Sequence, residues 1–427
     1  MFLNKIFEIF NKYSPILIHT PWAGAIGNMA EEIYMALLRA RRENKKVLLL
    51  FPYDAFGKFK FSKFGLGMNS ELKDIRSEYR FLNHNHPLSV FLNIILSLIF
   101  YLFKTINFLL KYFGLGLPEN YLIPSIDKKN LWDINKSNKF EVENELGKIW
   151  QKDLSEYLDV RLSQKSIAKG EKVLKEMGIP KNSWFACFFI RDNSYYGQKV
   201  KEGDEKVIRN SSLENYYMAM EQVVKRGGYV VRLGNNKMKK MKKMKNVIDY
   251  PFTQFKSDLM DVYLVSKCKF FLGGSGIWDV GHLFQKPLLM PNCVPIIYVT
   301  APRKNDIMLY KHIKKINENH YLTLNYRVQN THPNKSAIFD EYEYIENSAD
   351  EIESLVVDYF DNIENYNSPK QIAWKKTIQD TGLNFLKNNQ LYDNNYKNLS
   401  EKYRRFSKLF GRNGYVSNKI LNEYFVE

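Results

Sequence analysis

DYPFTQFKSDLMDVYLVSKCKFFLGGSGIWDVGHLFQKPLLMPN, residues Asp249 to Asn292, reads as helix, strand, glycine turn, helix and strand. Ser257 is placed to cap the first helix, with Asp258 and Asp261 in the first turn, where the helix dipole favours negative charge. That helix should end near Lys267. Cys268 to Leu272 is apolar or neutral except for Lys269, the pattern of a strand covered on both faces of a parallel sheet. Gly273, Gly274, Ser275 and Gly276 then break the run, and Ile277 to Gln285 reads as a helix whose first N–H groups would face the turn. Gln285-Lys286-Pro287 stops it, and Leu288 to Met290 is the next buried strand. A phosphate-bearing ligand fits such a turn, and so does a tight βα connection that binds nothing.

Outward from this stretch, two more strands end in polar clusters. Trp184 to Ile190 (WFACFFI) is a two-sided buried strand followed by Arg191, Asp192, Asn193, Ser194, Tyr195 and Tyr196. Tyr216 to Arg226 reads as a helix closed by Gly227-Gly228, and Tyr229 to Leu233 is a strand carrying Arg232 and turned by Gly234. Three strand ends thus converge on one sheet edge, with arginine forks and backbone donors suited to a nucleotide diphosphate. The competing expectation is that Arg191 or Arg232 pairs with Asp192, Asp249 or Asp261.

The front of the chain repeats the theme. Ile16 to His19 is a strand, Thr20 to Asn28 is a loop opening a helix through about Glu43, and Lys46 to Phe51 is the second strand. A βαβ start predicts a doubly wound sheet, with the first loop at its ligand-binding edge. Leu88 to Phe113 is the most apolar segment, with Ser89, Asn93 and Ser97 spaced four apart. It is slightly short of the roughly 20 residues a spanning helix needs. An interfacial membrane helix or hairpin, a buried interdomain helix and a true span all remain open. Residues 1–15 carry Phe2, Leu3, Ile6, Ile9 and Phe10 at helical spacing, without the pattern of a secretory signal, and read as a short amphipathic lead-in that packs on the body or rests on a membrane.

The chain has 427 residues, so two domains are expected. Its 45% apolar and 26% charged composition is globular. A net charge of +17 calls for an anionic partner: phosphorylated ligands, an anionic membrane surface or nucleic acid. No nucleic-acid module is legible, so that partner is not expected. The three cysteines fall in or beside buried strands and read as core residues of a reducing compartment. The seven histidines have no ligand spacing, so no metal is expected. Asn235 to Asn246 holds six lysines and three methionines, either a solvated face or a contact for anionic lipid. Glu143 to Met177 reads as helical and joins the domains. Pro302 to His332 reads as loop-rich and basic, Glu346 to Phe360 as an acidic amphipathic helix, and Ser368 onward as helices, with Tyr403 to Arg412 basic and aromatic.

Taken together, the chain resembles the bacterial glycosyltransferases found among surface-polysaccharide biosynthesis genes, which have the GT-B architecture. The likeness rests on Ile190-Arg191-Asp192-Asn193-Ser194-Tyr195, Arg209-Asn210, Gly228 with Val230 to Gly234, Asp249-Tyr250, Ser257-Asp258 with Asp261, and Cys268 to Gly276. It covers roughly residues 166–355; in the front half it rests on Ile26-Gly27 and Glu31, with Asn28 where that family often has histidine. The resemblance implies an α/β fold of two Rossmann-like domains facing across a cleft, with residues 1–165 binding acceptor and carrying the apolar membrane-contact segment 88–113. Residues 166–360 would bind nucleotide sugar, and 361–427 would form a helical C-terminal extension. Arg191, Asn193, Tyr195, Arg232, Gly234, Gly274, Ser275 and Gly276 would hold the nucleotide sugar, which is the substrate, no cofactor being implied. Arg191 and Arg232 would neutralise the leaving group in a metal-independent reaction. His19, Glu31 and Asp192 are the candidates for the base that activates the acceptor hydroxyl. The implied activity is transfer of a sugar to a glycan or lipid-linked acceptor, by a cytoplasmic protein attached peripherally to the inner face of the plasma membrane. The alternatives are a non-catalytic membrane-attached scaffold of the polysaccharide assembly machinery and a GT-B-type sugar-nucleotide epimerase.

Overall fold

The computed structural model describes residues 10–21, 26–51, 69–115, 159–195, 207–274, 276–294, 306–324, 342–362, 368–377 and 415–425. Residues 143–158 of the linker expected over Glu143 to Met177, the basic aromatic stretch Tyr403 to Arg412, and residues 1–9 lie outside them. Two compact units result, one of Met1–Val142, Leu154–Lys169 and His282–Phe284, the other of Glu143–Asp153, Gly170–Gly281 and Gln285–Glu427.

In the first unit, β1 (Ile16–His19) and β2 (Lys46–Leu49) pair in parallel, Ile16 opposite Lys46 and His19 opposite Leu49, joined through helix α1 (Ile26–Arg42). This βαβ is the whole of that sheet among the described residues. Asn11 clamps β1 at Ile18, donating from Nδ2 to the Ile18 carbonyl at 3.0 Å and accepting the Ile18 N–H at 2.8 Å.

Helix α2 (Pro87–Tyr112) is a single 26-residue rod, about 39 Å long at 1.5 Å per residue. Proline at its first position needs no hydrogen-bond partner, and His86 Nδ1 accepts the Leu88 N–H at 3.2 Å. Its polarity is inverted relative to an ordinary surface helix. The polar stripe Ser89, Asn93 and Ser97 is buried, and Leu96 joins a core with Leu48 and Leu50. Asn93 Oδ1 accepts the Phe51 N–H at 2.5 Å, which ties the stripe to the chain just beyond β2. The apolar side faces out: Phe91, Leu98, Leu102, Phe108, Leu109 and Phe113 are exposed, Leu102 by 60%. No helix among the described residues is long and apolar enough to cross a membrane.

After α3 (Gln164–Glu176), the second unit forms a seven-stranded parallel sheet. Its elements are β3 (Phe185–Phe189), α4 (Tyr217–Lys225), β4 (Tyr229–Leu233), β5 (Val247–Asp249), α5 (Asp258–Lys267), β6 (Phe271–Gly273), α6 (Trp278–Leu283), β7 (Leu288–Cys293) and β8 (Ile307–Tyr310). The strands lie in the order β5-β4-β3-β6-β7-β8, with the late strand β11 (Tyr415–Val416) beyond β8. Counted within this unit the order is 3-2-1-4-5-6, the doubly wound arrangement whose ligand crevice lies beyond the carboxyl ends of strands 1 and 4. Here those are β3 and β6. An antiparallel ribbon of β9 (His312–Lys315) and β10 (Tyr342–Ile345) and the helix α7 (Ala349–Val357) precede β11, and α8 (Asn418–Tyr424) follows it.

Local chemistry explains the boundaries. Ser257 Oγ accepts the Met260 N–H at 3.3 Å, the cap expected for α5. At α7, Ser348 and Glu351 form a reciprocal capping box. Cys187, Cys268 and Cys293 are free and buried. The six lysines from Lys237 to Lys245 are exposed, while Met238 and Met241 between them are buried.

Three expectations are corrected. The stretch read as loop-rich after Pro302 contains β8 and β9 among its described residues. The C-terminal part is not wholly helical, because Tyr415 and Val416 add a strand to the main sheet; two residues are too few to show a period in sequence. The helix after the glycine turn is six residues, Trp278–Leu283, shorter than Ile277 to Gln285, with Gln285 at φ 56° just beyond its end.

Candidate functional site

Gly273 pairs with Phe189 in register, and an added Cβ at Gly273 would stand 2.3 Å from the Phe189 carbonyl oxygen. Only glycine lets strands β3 and β6 meet this closely at the switch point. The Gly274 N–H continues the pairing to the same oxygen at 3.3 Å. Among the described residues, a Cβ on Gly274 would meet nothing nearer than the Arg209 carbonyl oxygen, at 3.8 Å. Gly276 has φ +116°, a conformation that favours glycine, and none of the described residues comes within 4 Å of a Cβ built there. Ser275 lies outside the described residues. The first turn of α6 holds Asp279, a carboxylate where phosphate was expected to approach.

Arg191 follows β3 and is buried, its carbonyl accepting the Ser211 N–H at 2.9 Å. Asp192 accepts from the Ser194 N–H at 2.9 Å and the Lys239 N–H at 3.4 Å. Exposed Asn193 accepts from Asn210 Nδ2. The Tyr195 side chain is outside the described residues.

Arg232 departs from its expected role. Its side chain is 1% exposed and donates to Asp249 Oδ1 at 2.8 Å, across the β4–β5 pair in which the two residues are opposite. Its guanidinium charge is therefore committed inside the unit. Gly234 has φ +145°, and a Cβ there would overlap the Met238 sulfur at 2.1 Å, so it serves the turn that seats Met238.

The expected acceptor-side residues sit in the other unit. His19 ends β1 and is 3% exposed; burial, aided by the Arg39 guanidinium, pushes its pKa down to about 3, which leaves the imidazole neutral. Its Nε2 is 3.7 Å from Glu32 Oε2, beyond hydrogen-bond range. Glu32, one residue past the expected Glu31, is the buried carboxylate beside it, and Glu31 is only partly buried. The two adjacent acids differ by 100° of helix rotation, and the sequence offered no reason to prefer the second.

The structure also gathers residues that strand-end reading missed. Asn292 at the end of β7 has φ 57° and is locked to Asn347 by a reciprocal pair of 2.7 Å bonds, each side-chain oxygen accepting the other's N–H. Asn292 Nδ2 donates to Ser211 Oγ at 3.1 Å, and burial pushes the nearby Tyr216 hydroxyl up to about 12. Lys311, directly after β8, donates from Nζ to the Asn210 carbonyl at 2.9 Å. The segment 209–212 thus runs along the carboxyl edges of β3, β6, β7 and β8.

No protein-family model, curated protein or solved structure matches this chain. What fold and edge define is an α/β protein with a large parallel sheet of Rossmann-like order, flanked by helices.

Proposed function

We propose that this protein is a glycosyltransferase of the GT-B type that moves a sugar from a nucleotide-sugar donor to a glycan or lipid-linked acceptor in bacterial surface-polysaccharide biosynthesis. The observation that carries the reading is the strand order, which puts the Arg191 cluster and the Gly273-Gly274 turn on the two strands flanking the switch point. Arg191 would face the departing diphosphate and supply the positive charge that eases its loss. Arg232 would act by positioning the β4 end, since its own charge is spent on Asp249. Neutral His19, Glu31 and Asp192 remain the candidate bases.

The test is thermal stability with UDP, GDP, CDP, ADP, CMP and dTDP. One nucleotide at a hundred times its dissociation constant should add about 2.7 kcal/mol to the folded state. Gly274→Ala is expected to melt like the wild type and to lose that gain, because its methyl group occupies the space the phosphate would enter. Absence of any gain in the wild type would overturn the reading in favour of the scaffold alternative.

We propose further that the protein works at the inner face of the plasma membrane. The outward apolar side of α2 supports this, as an exposed apolar surface of this kind marks an interaction site. Charge favours lipid as the partner: no acidic residue occurs between Glu78 and Glu119, the net charge is +17, and the lysines of 237–245 are exposed. Leu98→Ser with Leu102→Ser should lower binding to phosphatidylserine-containing vesicles by about a hundredfold, from roughly 1.5 kcal/mol per leucine no longer buried. Its melting temperature should stay unchanged, because both side chains are exposed. Wild-type protein that ignores vesicles but self-associates through this face would reject the membrane in favour of a protein contact.

A further inference from the structure

We infer that Lys311 is a ligand-binding cation of the switch-point edge and takes an anionic oxygen of the ligand, a phosphate on the reading above. The inference rests on that reading and extends it to the residue directly after β8, a strand three places away from β3 in the sheet.

Lys311 is the first residue after β8, and its N–H donates to the Cys293 carbonyl at 3.1 Å, which holds it at the carboxyl end of the sheet. From there the side chain reaches back along the edge to the Asn210 carbonyl. The flanking residues of that segment fix the other side: Ser211 N–H is bonded to the Arg191 carbonyl, and the Arg209 carbonyl is the nearest atom to the open side of Gly274. Lys311, Arg191 and Gly274 therefore converge on one short stretch of backbone.

The ammonium is underserved where it lies. It has three protons, and the Asn210 carbonyl is its sole hydrogen-bond acceptor among the described residues, though the residue is only 3% exposed. A buried cation is normally matched by an anion with further hydrogen bonds. The Glu346 carboxylate, whose charge favours the protonated form, forms no ion pair with it and is occupied by the Ser212 N–H at 2.7 Å and Asn215 Nδ2 at 3.4 Å. Burial accordingly pulls the Lys311 pKa below the ordinary lysine value. Asn210 itself has a buried side-chain oxygen with no donor. Two ammonium protons in excess and one acceptor in excess on the same stretch suit a ligand carrying both an anionic oxygen and a hydroxyl.

The experiment compares wild type, Lys311→Met and Lys311→Arg for melting temperature without ligand and for the dissociation constant of the nucleoside diphosphate that stabilises the wild type, with inorganic diphosphate as a second probe. The methionine variant should melt at or above the wild type, since a poorly matched buried charge is gone, and should bind both probes at least about tenfold more weakly. Lys311→Arg should restore part of the affinity. A methionine variant that binds both probes as the wild type does would overturn the inference, whatever its melting temperature, and would leave Lys311 a tether for Asn210. If the wild type binds none of the probes, the nucleotide reading fails and this inference fails with it; if only the variants are unaffected, the nucleotide reading stands.

Discussion

Asp249→Ala should destabilise the second unit by about 3–5 kcal/mol in urea denaturation, the usual cost of stripping one partner from a buried ion pair. Asp249 accepts from two sources: Arg232 at 2.8 Å on Oδ1 and the Met241 N–H at 2.9 Å on Oδ2. The Arg232 side chain is 1% exposed, and its Nε has no hydrogen-bond partner among the described residues. Removing the carboxylate leaves a guanidinium buried with its charge unmatched. Arg232→Met should cost less, because Asp249 keeps the Met241 N–H and is 16% exposed. Adding Arg232→Met to Asp249→Ala should therefore recover part of the loss, a coupling that a double-mutant cycle reads directly. A loss below about 1 kcal/mol in Asp249→Ala would show that the pair is open to water. The pairing also dictates how ligand binding is probed. An Arg232→Ala variant would confuse a lost phosphate contact with a damaged strand pair, whereas Gly274→Ala changes the edge without touching the core.

Strand β4 was legible to the residue, since Tyr229 to Leu233 is bounded by glycines on both sides. The α5 cap was equally plain, because Ser257 and the acids behind it act locally. Partnerships across the sheet were a different matter. Arg232 and Asp249 are 17 residues apart, and both an ion pair and a phosphate contact fitted the pattern until strand register put them opposite. Helix α2 shows the limit most clearly. The four-residue spacing of Ser89, Asn93 and Ser97 marks a stripe, but periodicity does not say which stripe faces the body. The Phe51 N–H claimed Asn93 and turned the polar side inward, a tertiary contact 42 residues away. Lys311 was hidden in a segment that read as basic loop, where one lysine among many has no distinguishing mark. Its burial emerges only when β8 takes its place beside β7.

Gly273→Ala should cost the second unit at least about 3 kcal/mol, and Gly274→Ala, one residue on, should cost less than about 1 kcal/mol. The difference comes from what each methyl group would meet. At Gly273 it meets the Phe189 backbone, with the carbonyl oxygen at 2.3 Å and the nitrogen at 3.0 Å. Backbone cannot rotate aside as a side chain does, so β3 and β6 would have to separate at the center of the sheet. At Gly274 the only neighbour within 4 Å among the described residues is the Arg209 carbonyl oxygen at 3.8 Å, an ordinary contact. Equal losses for the two variants would refute the assignment of close packing to Gly273 alone. The contrast also separates two meanings of the glycine turn. If it were merely a connection, evolution of the edge would need glycine only at Gly273, where strands touch, and at Gly276, where φ is positive. Gly274 is under neither constraint among the described residues, so on the proposed reading its missing side chain leaves room for the ligand. Stability unchanged in Gly274→Ala, together with lost nucleotide binding, would assign the first glycine to the fold and the second to the ligand.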